Sequence, residues 1–554
     1  MVIVMKRKIM NKLLDWKNDA NNKPLMVLGA RQVGKTYIIN EFCKNNFKNY
    51  ISVNLLDNDN IVMLYERKDI NSDQKYNYLK TLLNFDIDQE DTILFIDEIQ
   101  ESEELISELK YFCEKHNNVK IICAGSLLGV KLKRFNSSFP VGKVKMINMY
   151  PMDFEEFLLA NNRKLLLDEI KNAYEKNTSL PDEIHSLCLE FYRFYLITGG
   201  MPESVSNFIE NDCDIMKYDN TIKENIISAY IKDMKNYVKS EAETIKIEKI
   251  YKSIPTQIAN ESRKFQFSKI EKNSRSRDYD EPLSWLEASN LVLTSYRVSR
   301  PLIPLKGYVD FDFYKLFIND IGLLNHFLEI RNSDIITDNL SLFKGAIVEN
   351  YVATQFASNE ISLYYWLSEG IAEVDFLLYN EDGIIPVEVK ASDNTQSKSL
   401  KMFMENYNPK YAIRISTKNF GYNEVSKIKS IPLYAVFLLK YEEKMKQLYN
   451  KLVRDKIPNI IKNNGGEPYT RILSNDEYIE NLKKKLIEEC NEVVSAKTKE
   501  DTLEELADTF EVVRSLAKAL GYSYENLIDA VENKATKRGG FNKKIFLEKV
   551  IEKD

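Results

Sequence analysis

Apolar and polar positions change period several times along the chain, and each change predicts a different element. Near the start, "KPLMVLGARQVGKTYIINEF" sets a short apolar run before a glycine-bearing turn, predicting a buried strand, a loop and a helix. "DTILFIDEIQ" and "VKIICAGS" predict two further strands, each ending in polar residues. From about 185 to 240 the pattern is helical and rich in aromatics, broken by "TGGMP" at 198–202. Residues 241–310 predict short helices followed by a hairpin-like "LVLTSYRVSRPLIPL". "FKGAIVENYVATQF" predicts an amphipathic helix, and "AEVDFLLYNEDGIIPVEVKAS" two alternating strands joined through an "NEDG" turn.

Beyond a charged joint at "KYEEKMKQ" the pattern becomes purely helical. Ser474 and Glu477 stand at capping-box spacing ahead of Ile479, Leu482, Leu486, Cys490 and Val493. A second helix carries Leu503, Leu506, Phe510, Val513 and Leu520 and stops at Gly521; a third lies near 523–537. Short connections predict an antiparallel bundle.

A length of 554 residues exceeds one hydrophobic core and predicts several domains. The composition, 44% apolar and 29% charged, is that of a soluble globular protein. A net charge of −6 provides no general attraction to nucleic acid. The six cysteines form no CxxC pair, which argues against zinc and disulfides and fits a reducing cytoplasm. No apolar run reaches the length of a membrane span, and the N-terminus does not read as a signal peptide, so a cytoplasmic enzyme without membrane contact is expected.

The glycine turn fits G-x-x-x-x-G-K-[ST] over Gly29, Ala30, Arg31, Gln32, Val33, Gly34, Lys35 and Thr36. Backbone N–H groups of such a loop wrap a triphosphate at a helix N-terminus; Lys35 neutralises phosphate oxygens and the Thr36 hydroxyl ligates Mg²⁺. Asp97 and Glu98 close the "LFID" strand, the first for the metal and the second to polarise water, and Ser126 stands where a γ-phosphate sensor is kept. "GARQVGKT", "LFIDEIQ", "AGSLLGVKLKRFNSSFPVGKVKMINMYPMDFEEFL" and "YLITGGMPESV", in this order, resemble a group of prokaryotic AAA-like ATPases from about residue 5 to 440. The resemblance implies ATP binding and hydrolysis, a winged-helix element in 241–310, and Lys143 as a residue that approaches phosphate from a neighbouring subunit.

Glu388 and Lys390, two apart on a strand, face the same way, with Asp375 on the preceding strand and Glu349 on the upstream helix. This set resembles restriction-endonuclease-like folds, in which an Asp and a Glu hold Mg²⁺ and a Lys positions the attacking water.

In the tail, residues three apart lie nearly one above another, so Glu489 with Glu492 and Glu505 with Asp508 each make a carboxylate claw. Packing such claws together costs several kcal/mol of repulsion unless a hard cation sits among them. Solvated helix faces are the competing reading. "EExxE" (Glu488, Glu489, Glu492) followed by "ExxD" (Glu505, Asp508) resembles MazG-type all-α nucleoside triphosphate pyrophosphohydrolases. "YNKLVRDKIP" and "KRGGF" are similar to their phosphoribosyl-ATP pyrophosphohydrolase-like branch. The resemblance implies Mg²⁺ on Glu489, Glu492, Glu505 and Asp508, with Glu488 orienting the claw or water. It also implies Lys451, Arg454, Lys456, Lys537 and Arg538 as phosphate contacts, and release of pyrophosphate from an NTP or dNTP.

The expected organisation is multidomain: an AAA-like P-loop domain (1–184), a helical and winged-helix segment (185–310), a restriction-endonuclease-like α/β domain (311–440), a linker (441–447) and an all-α bundle (448–554). The expected function is an ATPase fused to a pyrophosphohydrolase, with ATP and Mg²⁺ as cofactors, in phage defence or nucleotide-pool control. Partners would be nucleoside triphosphates, a nucleic-acid or protein target of the ATPase, and a second copy pairing through the tail. The alternatives are a nucleotide-dependent binding module with an inert dimerising tail, and an ATP-regulated nuclease.

Overall fold

The computed structural model describes residues 5–550 apart from 20, 134–138, 239, 260–263, 273, 341–342, 369–371, 392–396, 441–450, 464–467, 469 and 497. The expected linker at 441–447 lies outside the described residues. The chain divides into two units, Met1–Glu443 and Lys444–Asp554. Among the described residues, no helix is long and apolar enough to cross a membrane.

The first unit opens on a parallel sheet of β1 (Leu25–Leu28), β2 (Asn49–Asn54), β3 (Thr92–Asp97), β4 (Lys120–Ala124) and β5 (Lys145–Asn148). Their order is β2-β3-β4-β1-β5. All six residues of β3 are buried, as expected of a strand covered on both faces. β1, lying between β4 and β5, delivers the chain into the phosphate loop and then the helix Lys35–Asn46.

Two further sheets follow. β6 (Val292–Val298) and β7 (Val309–Ile318) pair antiparallel and are joined by β8 (Tyr364–Leu367) and β9 (Glu373–Val374) in the order β7-β6-β8-β9. The expected hairpin exists, but its return strand begins after "PLIPL", which is connection rather than strand. β10 (Phe376–Asn380) and β11 (Gly383–Val389) form the expected hairpin and lead a five-stranded sheet completed by β12 (Ala412–Ser416), β14 (Ile428–Pro432) and β13 (Gly421–Asn423). The helix Lys344–Ser358 is not amphipathic as expected; it is buried on nearly all sides because elements surround it. Among the described residues, the largest of three apolar clusters runs from Met5 to Leu439. The expected boundaries at 184/185 and 310/311 fall inside the helix Asp182–Thr198 and inside β7, because this shared core extends through both elements.

The second unit is helical: Ile457–Asn463, Asn475–Ser495, Lys499–Ala519 and Tyr524–Arg538. The capping box forms as expected: Ser474 N donates to Glu477 Oε2 at 3.1 Å, and Glu477 N to Ser474 Oγ at 3.4 Å. The expected core does not close. Leu482 and Val512 are buried, but Cys490, Leu503, Leu506, Phe510 and Leu520 stay exposed. Helices packed in a single layer cannot cover both sides of their own apolar stripe.

Candidate functional site

The loop between β1 and its helix depends on two glycines with positive φ, Gly29 at 150° and Gly34 at 91°. A Cβ on Gly29 would sit 2.3 Å from the Met149 carbonyl oxygen, so neither backbone angle nor space admits a side chain there. Lys35 folds back over the loop, its Nζ donating to the carbonyls of Gly29 and Ala30, both at 2.8 Å. Burial pushes its pKa down to about 8, against the pull of Glu98 and Asp97. Thr36 Oγ1 donates to Asp97 Oδ2 at 2.6 Å, bringing together the two expected Mg²⁺ ligands. Burial, with Glu98 adjacent, pushes the Asp97 carboxyl up.

Glu98, at φ 53°, turns off the end of β3, and its Oε2 accepts from Gln100 Nε2 at 2.5 Å. Gln100 in turn packs where a Cβ on Gly125 would stand, just before the half-buried Ser126 beyond β4. P-loop lysine, threonine, acid pair and polar strand-end thus gather at the C-terminal edge of one parallel sheet, the place where such sheets bind nucleotides. Lys143 pairs instead with Glu114 at 2.9 Å.

Contacts absent from the motif hold the loop. Arg7 donates to the carbonyls of Val33 at 2.8 Å and Tyr150 at 2.6 Å, and pairs with Glu156 at 3.1 Å. Arg31 pairs with Asp233 at 2.6 Å, and the Tyr230 hydroxyl donates to the Arg31 carbonyl at 3.1 Å. Both partners lie on the helix Thr221–Tyr237, some two hundred residues away, where local sequence carries no sign of them.

A second cleft, of about 420 Å³, is lined by Glu349, Asp375, Glu388 and Lys390 together with Lys315 and Glu373. The four expected residues do meet. Lys390 Nζ lies 2.5 Å from Glu388 Oε1, and Val389 N donates to Asp375 Oδ2 at 2.7 Å. Enclosure in the cleft, then the neighbouring Glu388 and Glu349, push Asp375 far above the usual carboxylate range. Lys315, on β7, was not expected: its ammonium lies 2.7 Å from Glu349 Oε1 and 2.5 Å from Glu373 Oε1.

In the second unit, Glu489, Glu492 and Glu505 place one carboxylate oxygen each within 4.8 Å of one another. Glu489 is 4% exposed, and among the described residues its Oε2 is buried without a hydrogen-bond partner. Desolvation, then contact with Glu489 and the charge of Glu505, push the Glu492 carboxyl up. Asp508 does not join the trio; it is paired with Arg454. Glu488 takes Lys451 at 3.1 Å and Lys485 at 2.9 Å. Lys456, Lys537 and Arg538 are exposed to solvent.

Comparison with known families matches residues 21–158 to a model described as an AAA domain. Residues 189–334 and 344–434 match two domains of unknown function, DUF8612 and DUF4143. The N-terminal part is an AAA-type P-loop ATPase domain. Similar solved structures include a Walker-type ATPase of Pyrococcus abyssi, 16% identical over 59% of this chain and 96% of that one, with a TM-score of 0.37. The ORC2 protein of Aeropyrum pernix is 13% identical over 60% and 92%, with a TM-score of 0.30. The RuvB Holliday junction branch migration motor of Thermotoga maritima is 13% identical over 52% and 89%, with a TM-score of 0.24. No curated protein matches the chain.

Proposed function

We propose that the chain joins an ATP-hydrolysing AAA-type domain to a Mg²⁺-dependent nucleoside triphosphate pyrophosphohydrolase in its C-terminal unit. At the P-loop, Lys35 leaves its two carbonyl partners to meet β- and γ-phosphate oxygens. Thr36 and Asp97 hold the metal, and Glu98 orients the attacking water, its carboxylate steered by Gln100.

The observation that carries the second activity is the convergence of Glu489, Glu492 and Glu505 around Glu489 Oε2, which is buried without a hydrogen-bond partner among the described residues while Oε1 takes Lys485 at 2.7 Å. Such a set fits a hard oxygen-seeking cation. Magnesium bound there supplies charge neutralisation and a more acidic water beside the triphosphate. Lys451 and Arg454, held on Glu488 and Asp508, stand ready to exchange those acids for phosphate oxygens. Asp508 then serves the site by placing Arg454 or, once Arg454 turns to phosphate, as a fourth oxygen donor. The exposed Leu503, Leu506 and Phe510 favour a second copy of the tail as the missing cover. A nucleic-acid or protein target of the ATPase, a cytoplasmic setting and a role in phage defence or nucleotide-pool control complete this reading.

The same apolar face also favours a second reading, a tail that only dimerises. A product survey separates them: each NTP and dNTP is incubated with the full chain and with Glu489→Gln. Pyrophosphate release that disappears in the variant is expected. Phosphate as the sole product, unchanged by the substitution, leaves only the dimerising tail.

A further inference from the structure

The cleft around Asp375 and Glu388 has the residue types of a metal-dependent nuclease, yet two of its own lysines already take three of its four acids. Lys315 projects from β7, in the segment matching one domain of unknown function, into a cleft whose acids belong to the next. Its ammonium is at salt-bridge distance from two carboxylates at once, Glu349 at 2.7 Å and Glu373 at 2.5 Å, and its side chain is only 11% exposed. Lys390 takes Glu388 Oε1 at 2.5 Å. Among the described residues, the tail trio is the sole group of three acids whose ligand oxygens converge within 4.8 Å; the acids of this cleft do not. A divalent ion entering here would meet Glu349 already bound to an ammonium, and would stand against that positive charge in a poorly solvated space. The expected Mg²⁺ site therefore does not fit these residues as they are arranged.

We propose that Lys315 is a resident cation that takes the place of a divalent metal and keeps the cleft metal-free. One feature of a metal site persists beneath it. Glu388 is 3% exposed, and its Oε2 is buried without a hydrogen-bond partner among the described residues. A buried unpaired carboxylate oxygen is costly and persists where the surrounding packing holds it. Removing the Lys315 charge takes the ammonium from Glu349 and Glu373 and lets them draw toward Glu388 Oε2 and Asp375 as an oxygen-only donor set suited to Mg²⁺ or Mn²⁺. Metal-assisted phosphodiester hydrolysis is thus closed to the native cleft, and one side chain closes it.

The test counts Mn²⁺ bound to the full, nucleotide-free chain by the loss of its free-ion electron paramagnetic resonance signal. Four proteins are compared: the unaltered chain, Glu388→Gln, Lys315→Met, and Lys315→Met with Glu388→Gln. Taking differences removes ions held elsewhere. The unaltered chain and Glu388→Gln should bind equal amounts, Lys315→Met should gain one Mn²⁺ per chain, and the double variant should lose it again. Loss of one Mn²⁺ on Glu388→Gln alone overturns the proposal, and that comparison stands even if Lys315→Met does not fold. A folded Lys315→Met chain that gains no Mn²⁺ overturns it too.

Discussion

The back-folded P-loop lysine makes the nucleotide site sensitive to pH in a way that can be worked from its surroundings. Lys35 is 7% exposed and, among the described residues, its ammonium donates to two neutral carbonyls, those of Gly29 and Ala30. Its pKa falls from 10.5 to about 8 because burial outweighs the attraction of Glu98 and Asp97. That drop represents about 3 kcal/mol of disfavoured charge in the folded, nucleotide-free chain. Since the folded pKa lies below the unfolded one, the unfolded chain holds the extra proton between about pH 8 and 10.5. The penalty is in full force below pH 8, and this residue's contribution to stability rises with pH through that window. Phosphate oxygens around Lys35 favour its charged form, so ATP binding must take up a proton wherever the free site has lost one. Calorimetry of ATP binding in two buffers with different ionisation heats should show almost no proton uptake at pH 7 and nearly one proton at pH 9. Affinity should fall by about tenfold per pH unit above pH 8, and Lys35→Met, already weak, should lose that slope. Equal heats in both buffers at pH 9, or the same slope in Lys35→Met, would refute the reasoning.

Three further outcomes are expected. Glu98→Gln keeps the Gln100 neighbourhood but removes the charge that orients water, so steady-state phosphate release should fall by about 10²–10⁴-fold while ATP binding persists, read by filter binding beside a phosphate assay. Arg7→Met leaves Glu156 buried without its partner and should destabilise the first unit by about 3–5 kcal/mol in urea unfolding, with Glu156→Gln in the same chain recovering part of the loss. Phe510→Asp places charge on the uncovered apolar face, and light scattering of the full chain should shift toward a smaller species; an unchanged mass argues against pairing through that face.

What could be read in advance was local. Gly29 to Thr36, Asp97 and Glu98 are legible because a phosphate loop needs backbone angles that only particular residues adopt and because apolar runs mark buried strands. The hairpin of β10 and β11 and the capping box at Ser474 are short-range patterns of the same kind. Spacing along a helix likewise placed Glu489 and Glu492 together.

Tertiary structure decided the partners. Glu505 and Asp508 have the same local spacing as Glu489 and Glu492, yet Glu505 joins the trio while Asp508 goes to Arg454, fifty-four residues earlier. Arg7 braces the loop from outside its motif, and Asp233 reaches Arg31 from a distant helix. Lys315 enters a cleft whose pattern was complete without it, and so changes what that cleft can bind. Backbone conformation and burial follow from neighbouring residues, so a sequence displays them. Charge pairing depends on which surfaces the packed core brings within a few ångströms, and no local pattern encodes that.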